Sequence, residues 1–367
     1  MQVDVIGLTD SLWSQTLQNI RHDVYHLPEY ILLEAKRTKA IPEAILITDG
    51  DQIFFVPYLL RHCDDIVAEE ASRTEIFDTL SPYGYTGILL SETAINNPEF
   101  AKQAILKMKQ ILSSKGVCSA FFRMHPILNN NFREIFSDEN FTIHGETISV
   151  DLRITESQIW SSTRSGHKST INKCKRLGME AKIVPLSEYL DEFTSIYQET
   201  MNRVGATQGY YSFDLDYYRE MGKILGDKLH LCIVEYENEV ACVGIYTEVC
   251  GIVQSTLGGT KDKFVHLSPS SLETDYARYW AKARGNEFLH LGGGVGASLD
   301  SVYSFKKGFS KLQHTFMTLG LIIDENKYNY LTNLRAKSLN TEAEKLIQTS
   351  FFPAYRSTPF EKDSSLK

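Results

Sequence analysis

The sequence lacks the long apolar runs that mark membrane proteins. No run approaches the ~18 residues that a membrane span needs, and Asp4 and Asp10 interrupt the apolar start of the chain. We therefore expect no integral membrane segment, no secretory signal and a cytoplasmic location. Hydrophobic residues at 43% and charged residues at 23% exclude disorder, collagen and coiled coil. At 367 residues, two domains of ordinary size are expected.

Cysteine is scarce, and basic charge is in the minority. The six cysteines form no CxxC pair and have no histidines at metal spacing, so we predict no metal site. Most of them lie in apolar segments, which fits core positions in a reducing compartment. Lys and Arg number 38 against 46 Asp and Glu, a net charge of −8. This balance excludes a protein that coats nucleic acid over its whole surface but permits a local basic groove.

The usual phosphate-binding signatures are also missing. The glycine run at 292–296, GGGVG, lacks the GxGxxG spacing, and neither GKS nor GKT follows it. A strand that ends in a glycine loop before a helix is nevertheless typical of an anion or backbone-contact site. Gly292, Gly293 and Gly294 are therefore candidate ligand contacts. Lys306, in the next helix, is the candidate cation for developing negative charge, with an ordinary surface lysine as the alternative.

Apolar patterning predicts alternating strands and helices along the chain. Asp49-Gly50 between two apolar runs predicts a hairpin, and the apolar spacing in Pro98–Ser114 predicts an amphipathic helix. This alternation predicts an α/β (α+β) fold with mixed, mostly antiparallel sheets. We expect an N-terminal domain at 1–150, a C-terminal domain at 151–325 and a helical tail at 326–367.

One basic stretch stands out in this acidic protein. Ser161–Met179 holds five Lys or Arg residues and no acid. On a helix predicted over Glu156–Leu177, the side chains of Arg164, Lys168 and Lys175 lie close to one face. Such a row suits phosphate or pyrophosphate, because an arginine contacts two oxygens at once. A solvated helix face is the alternative.

Two short segments are dense in aromatic groups. The first contains Tyr25, His26 and Glu29 ahead of a predicted helix, and its rigid polar side chains suit a sugar or a peptide. The second contains Tyr83 and Tyr85, with neighbouring glycines that let backbone N–H groups approach a ligand. A packed turn and an ordinary Pro-Gly turn are the alternatives.

Six segments occur in an order that is more specific than any one of them. They are Tyr25–Tyr30, SPYGYTG (81–87), FFRMHP (121–126), SGHKSTINKCKRLG (165–178), LHLGGGVG (289–296) and YSFKKGF (303–309). This ordered set, spanning roughly residues 20 to 330, resembles the FemABX-like transferases, which are also described as BioF2-like acetyltransferases. The resemblance implies two tandem GNAT-like domains.

The resemblance also implies a reaction, in which an amine attacks an activated acyl group to form an amide. The best-known members transfer an amino acid from aminoacyl-tRNA to a peptidoglycan precursor. Phe305 and Lys306 match the Phe-Lys pair that lies beside the transferring acyl ester, and we group Tyr303 and the three glycines with the donor. The residues implied for the acceptor are Tyr25, His26, Glu29, Tyr83, Tyr85, Arg164, His167, Lys168 and Lys175.

Two departures from the family leave the donor open. No heptad pair provides the coiled-coil arm of some members. The glycine-containing loop that cradles the pyrophosphate of acyl-CoA is replaced by Thr260–His266, which contains no glycine. We expect no bound cofactor, with aminoacyl-tRNA or acyl-CoA as co-substrate. The general base stays open between Glu29, Asp300 and substrate-assisted proton loss.

Three functions are compatible with these residues and motifs. The leading one is amide formation on an amino group of a cell-envelope precursor, with tRNA as a partner and peripheral membrane contact. The second is an acyl-CoA-dependent N-acyltransferase of an amino sugar in surface polysaccharide synthesis. The third is a non-catalytic module that binds a glycan or peptide. The sequence leaves the oligomeric state open.

Overall fold

The computed structural model describes residues 1–66, 75–129, 131–136, 139, 141–205, 213–349 and 351–357. Residue 350 and residues 358–367 of the predicted tail lie outside the described residues. The strands are β1 Gln2–Ile6, β2 Ile41–Asp49, β3 Gln52–His62, β4 Phe77–Leu80, β5 Leu89–Leu90, β6 Val117–Arg123, β7 Phe141–Asp151, β8 Glu180–Val184, β9 Leu229–Tyr236, β10 Glu239–Val249, β11 Ile252–Thr260, β12 Phe288–Gly292 and β13 Leu312–Ile322.

Helices alternate with these strands. The α-helices are α1 Ser11–Asn19, α2 Pro28–Thr38, α3 Glu92–Ile95, α4 Pro98–Ser114, α5 Phe132–Ile135, α6 Glu156–Ser162, α7 Ser165–Arg176, α8 Leu190–Val204, α9 Leu215–Leu225, α10 Ser270–Ala283, α11 Ser301–Lys307, α12 Glu325–Ser338 and α13 Ala343–Ile347. Short 3-10 helices lie at Val24–His26, Leu186–Glu188, Gly226–Lys228, Asp262–Leu267, Val295–Ala297 and Ala354–Arg356. No helix within the described residues has both the length and the apolar composition needed to cross a bilayer.

The first compact unit comprises Met1–Arg21, Glu34–Ile143 and Met317–Lys367. Its strands follow the order β1-β2-β3-β4-β6, and only the β4–β6 pairing is parallel among them. The predicted hairpin is confirmed, since β2 and β3 pair as far as the turn at Gly50. Helix α4, whose bounds match the prediction, buries its apolar stripe in the core of this unit.

The second unit comprises His22–Leu33 and His144–Phe316. Its strands follow the order β7-β12-β11-β10-β9-β8, and only β11 and β12 run parallel. These two strands pair at Ile252–Gln254 and Phe288–His290, whereas Gly292 pairs with Ile148 of β7. The glycine run therefore begins where β12 leaves β11. The predicted α/β class with mostly antiparallel sheets is confirmed.

This division differs from the predicted domain boundaries in two respects. The short segment His22–Leu33 belongs to the second unit, although it precedes most of the first unit in the sequence. The tail is not separate but packs within the first unit, where the Tyr355 hydroxyl donates to Asp78 at 3.1 Å and the Arg356 guanidinium donates to it at 2.5 Å. Buried polar contacts of this kind cannot be recognised from helical spacing.

The predicted helix over Glu156–Leu177 is wrong in one detail, because it is two helices. The backbone is extended at Thr163 and Arg164, between α6 and α7. Tertiary hydrogen bonds compensate for the interruption. Arg278 donates to Thr163 Oγ1 at 2.7 Å, and the Arg164 N–H donates to the Gly308 carbonyl at 2.8 Å.

Candidate active site

Lys306 and the glycine run at 292–296, called the glycine turn below, come together in the second unit. The Lys306 Nζ donates to the Gly293 carbonyl oxygen at 2.7 Å. The lysine side chain is only partly exposed, and burial lowers its pKa from the usual 10.5 to about 8. An ammonium has three N–H donors. Gly293 accepts one of them, and among the described residues no acceptor is found for the other two.

Asp300 fixes the start of the helix that carries this lysine. Its Oδ1 accepts from the Tyr303 N–H at 2.8 Å, and its Oδ2 accepts from the Val295 N–H at 3.0 Å. Although burial opposes it, these backbone N–H groups lower the pKa of Asp300. A side chain at Gly294 would overlap Ser298 O, so only glycine fits there. Asp300 thus joins the glycine turn to the first turn of helix α11 through hydrogen bonds.

His167 packs against the buried side of α11. Its ring is buried against Phe305 and Phe309, with centroid distances of 5.3 and 4.7 Å. His167 Nε2 lies 2.9 Å from the Phe305 carbonyl oxygen, so this nitrogen is the donor and Nδ1 accepts from Arg164 Nη2 at 3.2 Å. Burial lowers the pKa of His167, in keeping with a neutral ring. His167 therefore positions Phe305 and Lys306, and its predicted role as an acceptor contact stays a prediction.

Glu146, at the glycine turn, was missed in the sequence. It follows the first residues of β7, and its Oε2 accepts from the Tyr303 hydroxyl at 3.0 Å and from the Gln313 side-chain amide. A Cβ at Gly293 would lie 3.0 Å from the Glu146 carbonyl oxygen. No local pattern marks this residue, because its neighbours in space lie far away in sequence.

The second unit contains a stretch that is similar to a known family. Residues 147–240 match the model of the FemAB family. The fold is similar to the crystal structure of FemX, with 10% identity, a TM-score of 0.67, and coverage of 89% of this chain and 99% of that one. The resemblance to the FemABX-like transferases is confirmed.

A second solved structure shares the fold. The structure of L-PGS from Bacillus licheniformis aligns at 15% identity and a TM-score of 0.52, covering 86% of this chain and 92% of that one. No curated protein matches the sequence. At these identities the structural matches establish the fold. Together with the FemAB match, they support an acyl- or aminoacyltransferase and leave its substrate to be determined.

The predicted basic row of Arg164, Lys168 and Lys175 is only partly available to a ligand. Arg164, at the start of α7, is exposed, and Lys168 donates to Ser161 O at 3.2 Å. Lys175 forms an ion pair of 3.0 Å with Asp275, a buried carboxylate that also pairs with Arg278. The charge of Lys175 is therefore already matched, and its predicted ligand contact stays a prediction.

The first aromatic segment is mostly interior. Tyr25 is 4% exposed and His26 is fully buried, while Glu29 is exposed in the first turn of α2. His26 Nδ1 accepts the Asp23 N–H at 3.1 Å, which closes the 3-10 turn. Tyr25 and His26 thus pack in the interior, and their predicted role as acceptor contacts stays a prediction. Asp23, which precedes them, belongs to a buried polar network that the sequence did not indicate.

That network connects three buried side chains. Gln254 donates to Asp23 Oδ2 at 2.5 Å, and its Oε1 lies 2.6 Å from His290 Nδ1. All three are at most 1% exposed. Since buried polar groups need partners, this chain of contacts fixes segment His22–Leu33 on strands β11 and β12.

Tyr83 and Tyr85 belong to the first unit. The Tyr83 N–H donates to Glu34 Oε2 at 3.1 Å. The Arg123 guanidinium lies 5.8 Å from the centre of the Tyr85 ring and donates to Gly84 O at 2.8 Å. The predicted acceptor contacts of these tyrosines stay predictions.

The connection between β11 and α10 is poorly suited to a pyrophosphate. Lys261 lies 3.3 Å from both Glu192 and Glu239, and Lys263 lies 2.5 Å from Glu239. The N–H groups of Ser271, Leu272 and Glu273 donate to Ser268 O and Pro269 O at 3.0 Å. The cations and amides that would bind phosphate oxygens already have partners. Within the described ranges, no three His, Cys, Asp or Glu side chains could hold a metal ion.

Proposed function

We propose that the protein is an acyltransferase that forms an amide on an amino group of a cell-envelope precursor, either a peptide or an amino sugar. The observation that carries the proposal is the Lys306 ammonium, fixed on the Gly293 carbonyl beside Phe305. This pair lies in the unit that contains the FemAB match. The similarity of the fold to FemX agrees with this function.

The chemistry of amide formation is favoured by a hydrogen-bond donor at this position. When an amine attacks an acyl carbon, the carbonyl oxygen gains negative charge, and a donor aimed at that oxygen contributes about 3 kcal/mol. Lys306 has N–H groups to spare after its bond to Gly293. With a pKa of about 8, it stays mostly cationic at neutral pH and supplies this charge.

We propose aminoacyl-tRNA as the donor rather than acyl-CoA. The matched charges at Lys261 and Lys263 leave no evident cradle for a pyrophosphate. Arg164 directly precedes α7 and Lys173 lies on it. Both side chains are exposed and the helix contains no acid, which suits a phosphate backbone. We propose that the side chains of Arg164 and Lys168 bind phosphate groups of the tRNA.

The donor experiment measures binding of the purified protein to acetyl-CoA and to a mixed aminoacyl-tRNA pool across a salt series. Salt-sensitive tRNA binding without CoA binding is expected, because each phosphate contact releases counterions. Saturable CoA binding with little salt dependence would instead favour the amino-sugar N-acyltransferase. Binding of neither would favour the non-catalytic module. Lys311→Ala, on exposed surface outside α7, is the charge control.

Transfer itself is tested with a lysine-containing peptidoglycan stem peptide as acceptor. Mass spectrometry should show the peptide gaining one aminoacyl group through an amide. If the acceptor is an envelope precursor, we propose that the protein acts in the cytoplasm and contacts the inner face of the membrane peripherally. Sedimentation with vesicles that carry a lipid-linked precursor tests that part of the proposal.

A further inference from the structure

Glu146 is a carboxylate at the glycine turn with no role in the chemistry described above. Its carbonyl oxygen lies against Gly293, whose own carbonyl holds the Lys306 ammonium. Its side chain bonds to Tyr303, which lies three residues before Lys306 on α11. Residues at this spacing lie on the same helix face. The Glu146 carboxylate and the Lys306 ammonium therefore lie on the same side of α11, and both are next to the glycine turn.

The two oxygens of this carboxylate differ in their surroundings. Oε2 is held by the Tyr303 hydroxyl at 3.0 Å and by the Gln313 amide. Oε1 has no hydrogen-bond partner among the residues that the structure describes, and the side chain is exposed. A carboxylate with one oxygen fixed and the other open is oriented to accept a hydrogen bond from a ligand.

The other candidate bases fit less well. Both oxygens of Asp300 accept backbone N–H groups, and these bonds lower its pKa, which makes it a weaker base. Glu29 is exposed on α2, and no described contact joins it to the glycine turn. Glu146 is the carboxylate that the structure places at the turn with a free oxygen.

We propose that Glu146 binds the ammonium group of the acceptor and takes its proton. The inference rests on the proposed acyl transfer. One proton moves from the ammonium to Oε1, and the neutral nitrogen attacks the acyl carbon to form the C–N bond. The C–O bond to the tRNA ribose then breaks, and the second nitrogen proton goes to the leaving oxygen. Glu146 finally releases its proton to water.

The test compares two acceptors in the wild type and in Glu146→Gln. The donor is the aminoacyl-tRNA pool, and the acceptors are the lysine-containing stem peptide and hydroxylamine. Hydroxylamine is already uncharged at neutral pH, so it needs no base. Glu146→Gln should lower kcat/KM for the peptide by about 10²-fold or more, while the rate with hydroxylamine stays close to that of the wild type. Glu180→Gln, an exposed carboxylate on β8, is the control.

Equal rates in Glu146→Gln and the wild type, or an equal loss with both acceptors, would overturn the inference. Absence of product from the wild type with either acceptor would count against the proposed function itself. Calorimetry then tests Glu146 without turnover, by comparing the stem peptide with its Nε-acetylated form. The wild type should prefer the free amine and Glu146→Gln should not. The same preference in both proteins would also overturn the inference.

Discussion

The Lys306 ammonium and the Gly293 carbonyl oxygen are joined by a hydrogen bond of 2.7 Å. This bond connects the end of α11 to the turn after β12, and it directs a cation toward the residues that we assign to the donor. The remaining contacts of the candidate site keep these two residues in place. Asp300 holds the start of α11, His167 supports its underside and Glu146 lies against the turn.

Removal of the Lys306 amine should slow transfer strongly and spare acceptor binding. Lys306→Ala is expected to lower the transfer rate by about 10²–10³-fold, because one donor to the developing oxyanion is lost. Single-turnover assays measure the rate, and calorimetry measures acceptor binding. Lys311→Ala, on exposed surface, should behave as the wild type. Unchanged turnover in Lys306→Ala would reject the role of this lysine.

The lowered pKa of Lys306 predicts that the free energy of unfolding of the protein changes with pH in the alkaline range. Burial disfavours the cation in the folded state, so the unfolded chain binds more protons between pH 8 and 10.5, the folded and ordinary pKa values. The wild type should therefore gain free energy of unfolding relative to Lys306→Met as the pH rises through this window. Urea unfolding of both proteins at pH 7.5 and 9.5 measures the difference. The same difference at both pH values would show that the pKa is not lowered.

The close packing of His167 against α11 predicts a cost for any side chain at Gly308. A Cβ there would overlap the His167 ring. Gly308→Ala should destabilise the protein by about 1–3 kcal/mol, the usual cost of overpacking, and should reduce transfer by displacing Phe305. Gly166→Ala on α7 is the control, since no atom lies within 4 Å of its Cβ position. Helix propensity predicts a gain of up to about 1 kcal/mol for that variant. Thermal unfolding should therefore shift in opposite directions for the two variants.

The ion pairs of Asp275 predict unequal effects from its partners. The Asp275 side chain is 2% exposed and that of Arg278 is fully buried, whereas that of Lys175 is 53% exposed. Asp275→Asn should cost about 3–5 kcal/mol, because it leaves the Arg278 charge buried without a counterion. Lys175→Ala should cost about 0–1 kcal/mol, as exposed pairs do. Denaturant unfolding measures both, and equal losses would contradict this account.

Much of the local structure could be predicted from the sequence. Apolar spacing predicts α4 over Pro98–Ser114, and the structure has the same bounds. Asp49-Gly50 predicts the β2–β3 hairpin, where Gly50 adopts a positive φ of 61°. These signals are local, because helix periodicity and turn chemistry depend on residues close together in the chain.

The prediction was weaker where distant segments meet. The basic row of α7 was a sound helical pattern, but the Asp275 that pairs with Lys175 lies 100 residues away in sequence. The break at Thr163 and Arg164 likewise depends on Arg278 and Gly308. No local pattern reports such partners.

The sequence by itself determined the fold class, the family resemblance and the Phe305–Lys306 pair, because each is written in local spacing or in an ordered set of motifs. Only the tertiary structure decided that His167 is a support and that Glu146 lies at the glycine turn. The Glu146–Tyr303 bond joins residues 157 positions apart. The chain brings such residues together only when β7, β12 and α11 bury their apolar faces in one core.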